Sequence, residues 1–270
     1  MNNTWEKLWI VIKYEFLKHI RRRRLYVILG NALLAEALAL ILIPVLRHGY
    51  PSSVMIMAAM LTVGPSLAAI GAVFFAGDAI AGEFEGKTGF LLFVNPIKRV
   101  VLWAGKYIAA LIAVVLLIIF TYVIIAISLA IIYHQVPVQI LGSFGLCILY
   151  ASAVLSLTFL FSAVSKGAMG ATVMTLLFIW VISGIVESIL GFTNNPYWFM
   201  ISAGGDSITL PYGSIKELMQ GLGFSGGGNF GGGFQNFAPL SIRMAIFGML
   251  IYFIVGFVAS IWISRRRQLA

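Results

Sequence analysis

The chain has 270 residues, of which 61% are hydrophobic and only 10% charged, with a mean hydropathy of +1.01. A soluble domain carries roughly a quarter charged residues and about half apolar ones, so one water-facing globule is excluded and lipid must solvate much of the surface. The net charge of +9 does not describe a nucleic-acid surface, because Lys and Arg stand in short clusters between apolar runs, as membrane topology signals do.

The first predicted element is an amphipathic helix within residues 1–24. Trp5, Leu8, Trp9, Ile12, Phe16 and Ile20 recur at three- and four-residue steps, with Glu6, Lys7, Lys18 and Arg21 on the other side. Two tryptophans with flanking lysines suit a helix lying in the headgroup layer. Ile10, Val11 and Leu17 widen the apolar face, so part of the helix is expected to pack on protein.

Arg21 to Arg24 then lead into LYVILGNALLAEA, whose Ala35 and Ala37 spell a small-x-small cleavage site. The basic region is too long for a signal peptide and the apolar run continues to Leu46. A retained first span is expected.

Six apolar runs are long enough to cross roughly 30 Å of hydrocarbon as helices. They cover Leu25–Leu46, Val54–Ala76, Val100–Tyr133, Val138–Val164, Ala168–Leu190 and Ile242–Ser264. The third is long enough to extend beyond the bilayer. With both termini inside the cell, 15 of the 18 Lys and Arg fall on the inner side, a bias that fixes the expected orientation in the plasma membrane.

No linker or repeat divides the chain, so residues 1–270 are read as a single all-α membrane domain. The Gly64–Pro65 pair predicts a bend in span two. Glu36, near the middle of span one, is costly in lipid and must pair, protonate or face the interior. It is either a substrate- or proton-contacting site or a hydrogen bond between helices, and its sequence context leaves both open. Glu187, near the outer end of span five, is expected at the outer interface.

Cys147 lies in an apolar run and excludes both an intramolecular disulfide and a cysteine metal cluster. His19, His48 and His134 have no metal spacing. The outer segment 191–241 is the one long polar insertion. Ser214 to Glu217 spell a capping box. Gly221 to Gly226 spell G-x-G-x-x-G, but no strand precedes it and glycine is abundant there, so the match is treated as chance and a flexible or partly re-entrant loop with aromatic anchors is expected.

The inner loop 77–99 holds the densest chemistry. Ala81 to Thr88, AGEFEGKT, fit the loose phosphate-loop pattern. Glu83 and Glu85 place negative charge where a triphosphate would sit, however, and a membrane span takes the place of the required strand. Inner loops of about 25 residues or fewer also fall far short of the roughly 100 residues a nucleotide-binding fold needs. Asp78 and Glu83 are instead expected near the positive end of a short helix. Thr88 is expected to cap a second short helix, GFLLFV, ended by Asn95–Pro96 and exposing Phe90 to Val94 at the cytoplasmic mouth. Such an apolar helix needs a covering partner or the headgroup layer.

Gly77, Asp78, Ile80, Glu83, Glu85, Thr88, Leu91, Leu92, Pro96, Arg99, Gly105 and Lys106 stand in an order that resembles the first cytoplasmic loop of ABC transporter permeases of the type-2 exporter class. That family commonly has glycine where this chain has Lys87. The resemblance extends in layout to the N-terminal helix, the six spans and the outer insertion.

It implies a permease half without an ATP site, paired with a second permease subunit, identical or paralogous, and with two cytoplasmic ATP-binding cassette ATPase subunits that hold ATP and magnesium. It further implies that Asp78, Glu83, Glu85, Thr88, Phe90, Leu91, Leu92, Pro96 and Arg99 contact the ATPase as a coupling loop. The rival reading is an ion-coupled secondary transporter working through Glu36. An intramembrane enzyme finds no support, since HExxH, GxSxG and paired catalytic carboxylates at helical spacing are all missing from the sequence.

Overall fold

A computed structural model describes residues 4–86, 98–193, 195–214, 217–218 and 240–266, and every described element is helical. Helix α1 (Thr4–Arg21) is followed, after an extended Arg22, by α2 (Arg23–Arg47), the first span. The second span is broken into α3 (Val54–Leu61), α4 (Val63–Ile70) and α5 (Ala72–Ala76), and a short α6 (Ala81–Glu85) follows. Helices α7 (Arg99–Tyr133) and α8 (Gln139–Val164) are the third and fourth spans. The fifth consists of α9 (Ala168–Leu176), a π-helical stretch (Leu177–Ile182) and α10 (Ser183–Phe192). Helix α11 (Ile201–Ser207) and a 3-10 turn (Leu210–Tyr212) belong to the insertion, and α12 (Ile242–Arg266) is the sixth span.

Six stretches of the described chain are long and apolar enough to cross a membrane. Five match the expected runs to within two residues; the second is corrected. Pro65 has no N–H to give Leu61, so the helical ladder opens just before it, and Thr62 turns its hydroxyl onto the Ala59 carbonyl at 2.6 Å. A second break follows at Gly71.

The broken span packs on α2 through its glycines. A Cβ at Gly64 would lie 2.5 Å from Glu36 Cγ, and one at Gly71 would lie 2.5 Å from Ile28 Cγ2. Only glycine admits the first span this closely.

The fourth span is the most buried and forms the centre of the bundle; the fifth and first are the most peripheral. Helix α8 packs along α12 and α7, and its interior is tied by side-chain hydroxyls. Tyr107 donates to the Ser152 carbonyl at 2.9 Å and accepts from Ser156 at 3.1 Å. Tyr122 meets Ser143 at 2.7 Å, and Ser143 donates to the Ile208 carbonyl at 2.7 Å, linking α7 and α8 to the insertion.

Helix α7 has 35 residues, about 52 Å at 1.5 Å per residue, so it outruns the hydrocarbon and offers its first turns to α1. Val11 of α1 fits against Gly105, where a Cβ would lie 2.6 Å from Val11 Cγ1. Val11 and Ile12 are buried, whereas Trp5 and Trp9 are exposed. The face that packs on protein is therefore the one that widened the apolar pattern.

At the opposite end, the insertion folds back into the bundle. Gly204 of α11 lies against Tyr150 and Met249, and Tyr150 is 11 residues into α8, about 16 Å from its start.

Candidate functional site

The end of the bundle that carries α1 gathers most of the described charge. Lys106, 2% exposed, places Nζ 2.6 Å from Glu83 Oε1 and 2.8 Å from Glu15 Oε1. Lys18 stands 3.4 Å from Glu15 and 3.9 Å from Glu83. Asp78 accepts from Arg22 and, at 3.2 Å, from Arg24. Three carboxylates thus hold four cations, and the pairs join α1 and the start of α2 to α6, α7 and the Asp78 turn.

Burial raises the Glu15 pKa, but Lys106 and Lys18 outweigh it and hold the carboxyl below its ordinary range. His19, on the same helix, packs edge-on against Phe75 with ring centroids 5.2 Å apart. Its pKa is pushed down to about 4 by burial, against the pull of Glu15 and Asp78, so it is neutral at physiological pH.

The turn between α5 and α6 is held by one side chain. Ser162 Oγ donates to the Gly77 carbonyl at 2.9 Å and accepts from the N–H groups of Ile80 at 3.2 Å and Ala81 at 2.9 Å. A helix interrupted inside a bundle leaves backbone groups without partners, and this serine of α8 supplies them. Glu85 accepts the Ala168 N–H at 2.9 Å, satisfying a free donor at the start of span five.

The expected ATPase-contact residues therefore divide. Asp78 and Glu83 are drawn inward by cations, and Glu85 meets α9. Arg99 donates to the Arg265 carbonyl at 3.2 Å, at the base of the last span. Helix α6 begins at Ala81, so Asp78 precedes it and answers to Arg22 and Arg24 rather than to a helix end, whereas Glu83 does sit in its first turn. Ala81–Glu85, the first part of the phosphate-loop match, is helical and not a loop. Thr88, Phe90, Leu91, Leu92 and Pro96, together with Lys87, lie outside the described residues.

Glu36 is far from this cluster. It is 1% exposed and packed on Gly64, and neither carboxyl oxygen has a hydrogen-bond partner among the described residues.

Sequence reading missed Glu15 as the second partner of Lys106 and missed Asp206 altogether. The first had a signal in Glu15–Lys18 spacing on a predicted helix. The second had none beyond an acidic residue in a polar segment. Asp206 of α11 accepts from Tyr197 at 3.2 Å and is pushed up to about 7 by burial and by neighbouring Glu187. Glu187, near the outer end of span five, thus lies beside the insertion.

Between span two and the insertion lies a cleft of about 420 Å³, lined by residues including Thr62, Ser66, Leu67, Ile70, Tyr150 and Asp206. Among the described residues, no group of His, Cys, Asp and Glu has the geometry to hold a metal ion.

Comparison with curated proteins gives no significant match. Comparison with family profiles gives one: the family described as "ABC-2 family transporter protein" matches over residues 11–183, from within α1 to the start of α10.

Proposed function

Because the chain belongs to the ABC-2 transporter family, a multi-pass permease of an ABC transporter, we propose that it is the membrane subunit of an ATP-driven exporter. In this reading it works in the plasma membrane with both termini in the cytoplasm. A second permease subunit, identical or paralogous, lies beside it, and two separate ATPase subunits bind ATP and magnesium.

The observation that carries the proposal is the fastening of the stub between spans two and three. Glu83 is paired to α7 and to Lys18 of α1, Glu85 to the start of span five, and the Gly77–Ala81 turn to α8 through Ser162. A push on the loop 77–99 would then be shared by four elements instead of being lost in a slack connection.

ATP favours one permease conformation only through a contact that differs between two states. The loop, through Phe90, Leu91 and Leu92, supplies that contact in a groove of the ATPase. Exposed Trp5 and Trp9 rest α1 in the headgroup layer. The apolar outer faces of spans one, five and six offer themselves to lipid and to the second permease.

The test is co-purification with the ATPase and its hydrolysis in nanodiscs. Leu91→Asp is expected to abolish recruitment, and Glu85→Ala to leave recruitment intact while uncoupling hydrolysis from substrate. Unchanged recruitment by Leu91→Asp would overturn the coupling role. A second reading, ion-coupled transport through Glu36, is favoured only by the two oxygens of that residue that have no hydrogen-bond partner among the described residues. It predicts transport that persists without ATP.

A further inference from the structure

The cleft between span two and the insertion has a feature the permease reading does not use. Its walls are largely apolar, with Leu67 and Ile70 of α4 facing Tyr150 of α8, and Thr62, Ser66 and Thr209 supply hydroxyls. At its edge is Asp206, which accepts a hydrogen bond from Tyr197, stands within hydrogen-bond reach of the Glu187 carboxyl, and forms no ion pair with any Lys or Arg among the described residues. The carboxylates that do form ion pairs in the described chain, Glu15, Asp78 and Glu83, are matched to cations at the end of the bundle that carries α1.

Two neighbouring carboxyls with no cation between them share a proton or take up a bound cation. The cleft is open beside Asp206, within the size range of ligand sites, and Tyr150 borders both cleft and carboxylate, placing an aromatic ring beside the site of an organic cation.

We propose that this cleft binds an amphiphilic amine, with the ammonium on Asp206 and the apolar stem along Leu67 and Ile70. The match is chemical: a pair of neighbouring carboxyls at the rim, an aromatic ring and hydroxyls beside it, and an apolar trough leading away. A dianionic headgroup would meet the wrong charge, and among the described residues no group of three or more His, Cys, Asp or Glu is gathered there to hold a metal ion.

The break at Thr62 belongs to the design. It turns α3 against α4 so that Ala59, Thr62, Val63 and Ser66 share one wall, while Gly64 on the other side of α4 meets α2.

The titration of Asp206 sharpens the expectation. The groups facing it are Glu187 of α10, Tyr197 and Tyr150. Asp206, pushed up to about 7, is anionic above that pH and neutral below it, so an ammonium ligand binds at the alkaline side and is released as pH falls. A neutral analogue of the same shape shows no such dependence.

The probe is dansylcadaverine, a fluorescent aryl group with a terminal primary amine, measured by anisotropy on the full chain in lipid nanodiscs. Its N-acetyl derivative and empty nanodiscs serve as references. Saturable binding is expected, with the amine preferred over the acetylated form by about tenfold or more, the size of one charge-assisted contact. Asp206→Asn should abolish that preference, and Leu67→Trp, which fills the trough, should weaken both compounds.

On the unaltered protein, the preference should vanish between pH 8 and pH 6, an arm that requires no variant to fold. Equal affinity for the two compounds, or a preference untouched by Asp206→Asn, overturns the proposal. The inference goes beyond the exporter reading, and the assay contains no ATPase. Its failure leaves recruitment by the loop 77–99 untouched, and failure of recruitment leaves this binding result standing.

Discussion

Replacing Lys106 by methionine tests whether the charge cluster at the α1 end holds the bundle together. Its ammonium lies 2.6 and 2.8 Å from two carboxylate oxygens. At an effective dielectric of about 20, each contact is worth roughly 6 kcal/mol of attraction, much of it offset by the several kcal/mol needed to dehydrate each ion. Deleting the ammonium removes the attraction but leaves Glu15 and Glu83 dehydrated and mutually repelling.

Loss of one partner from a buried cluster typically costs about 3–5 kcal/mol, which for a chain of this size shifts a melting transition by on the order of 10 °C. Lys18 is 36% exposed and farther from both carboxylates, so it screens little and its own removal should cost about 1 kcal/mol or less. The assay is intrinsic-fluorescence melting in nanodiscs. The deficit of Lys106→Met should shrink as pH is lowered from 7 to 5, because the stranded carboxyls then take up protons. A Lys106→Met chain within about 1 kcal/mol of the parent, or a deficit independent of pH, would refute the reasoning.

Ser162→Ala removes three hydrogen bonds at the α5–α6 turn and leaves two N–H groups and a carbonyl buried. A loss of about 2–4 kcal/mol is expected in the same melting assay, with faster proteolysis of the inner loop. Gly64→Ala drives a Cβ into Glu36 and should cost about 1–3 kcal/mol, but little once Glu36→Ala has cleared the space. Additive losses in that double-mutant cycle would show that the two do not touch.

His19 has a folded pKa near 4, below the unfolded value of 6.5. The unfolded chain therefore takes up its proton first on acidification. The His19 contribution is fully present above pH 6.5 and falls by roughly 3 kcal/mol towards pH 4. His19→Phe should flatten that part of the pH–stability curve.

The spans were legible because each is a single apolar run between Lys and Arg clusters, and α7 and α8 end within a residue of where the composition changes. The capping box at Ser214–Glu217 was equally legible. Ser214 N–H meets Glu217 Oε2 at 3.1 Å and Glu217 N–H meets Ser214 Oγ at 3.2 Å, a purely local pattern. Span two was half legible: Gly64–Pro65 announced a bend, but the second break at Gly71 and the serine pin at Ser162 depend on a neighbour 82 residues from Ile80.

The ion cluster was illegible for the same reason. Glu15 and Lys106 meet only after α1 has folded onto α7. Asp206 was hidden in a polar insertion whose sequence carries no carboxylate motif, while the packing of its neighbour Gly204 against Tyr150 and Met249 carries the segment into the bundle.

The π-helical stretch Leu177–Ile182 sets the azimuth of everything beyond it. A π turn accommodates one more residue than an α turn, so α10 is rotated by about 100° relative to an uninterrupted helix. That rotation aims Glu187 at the insertion. Deleting a single residue from the stretch would restore the α register and swing Glu187 towards lipid. Span five would remain a span, while Asp206 would lose its acidic neighbour and titrate nearer to an ordinary carboxylate. One residue of helical phase thus connects the lateral wall of the bundle to the charge state of the cleft that Asp206 lines.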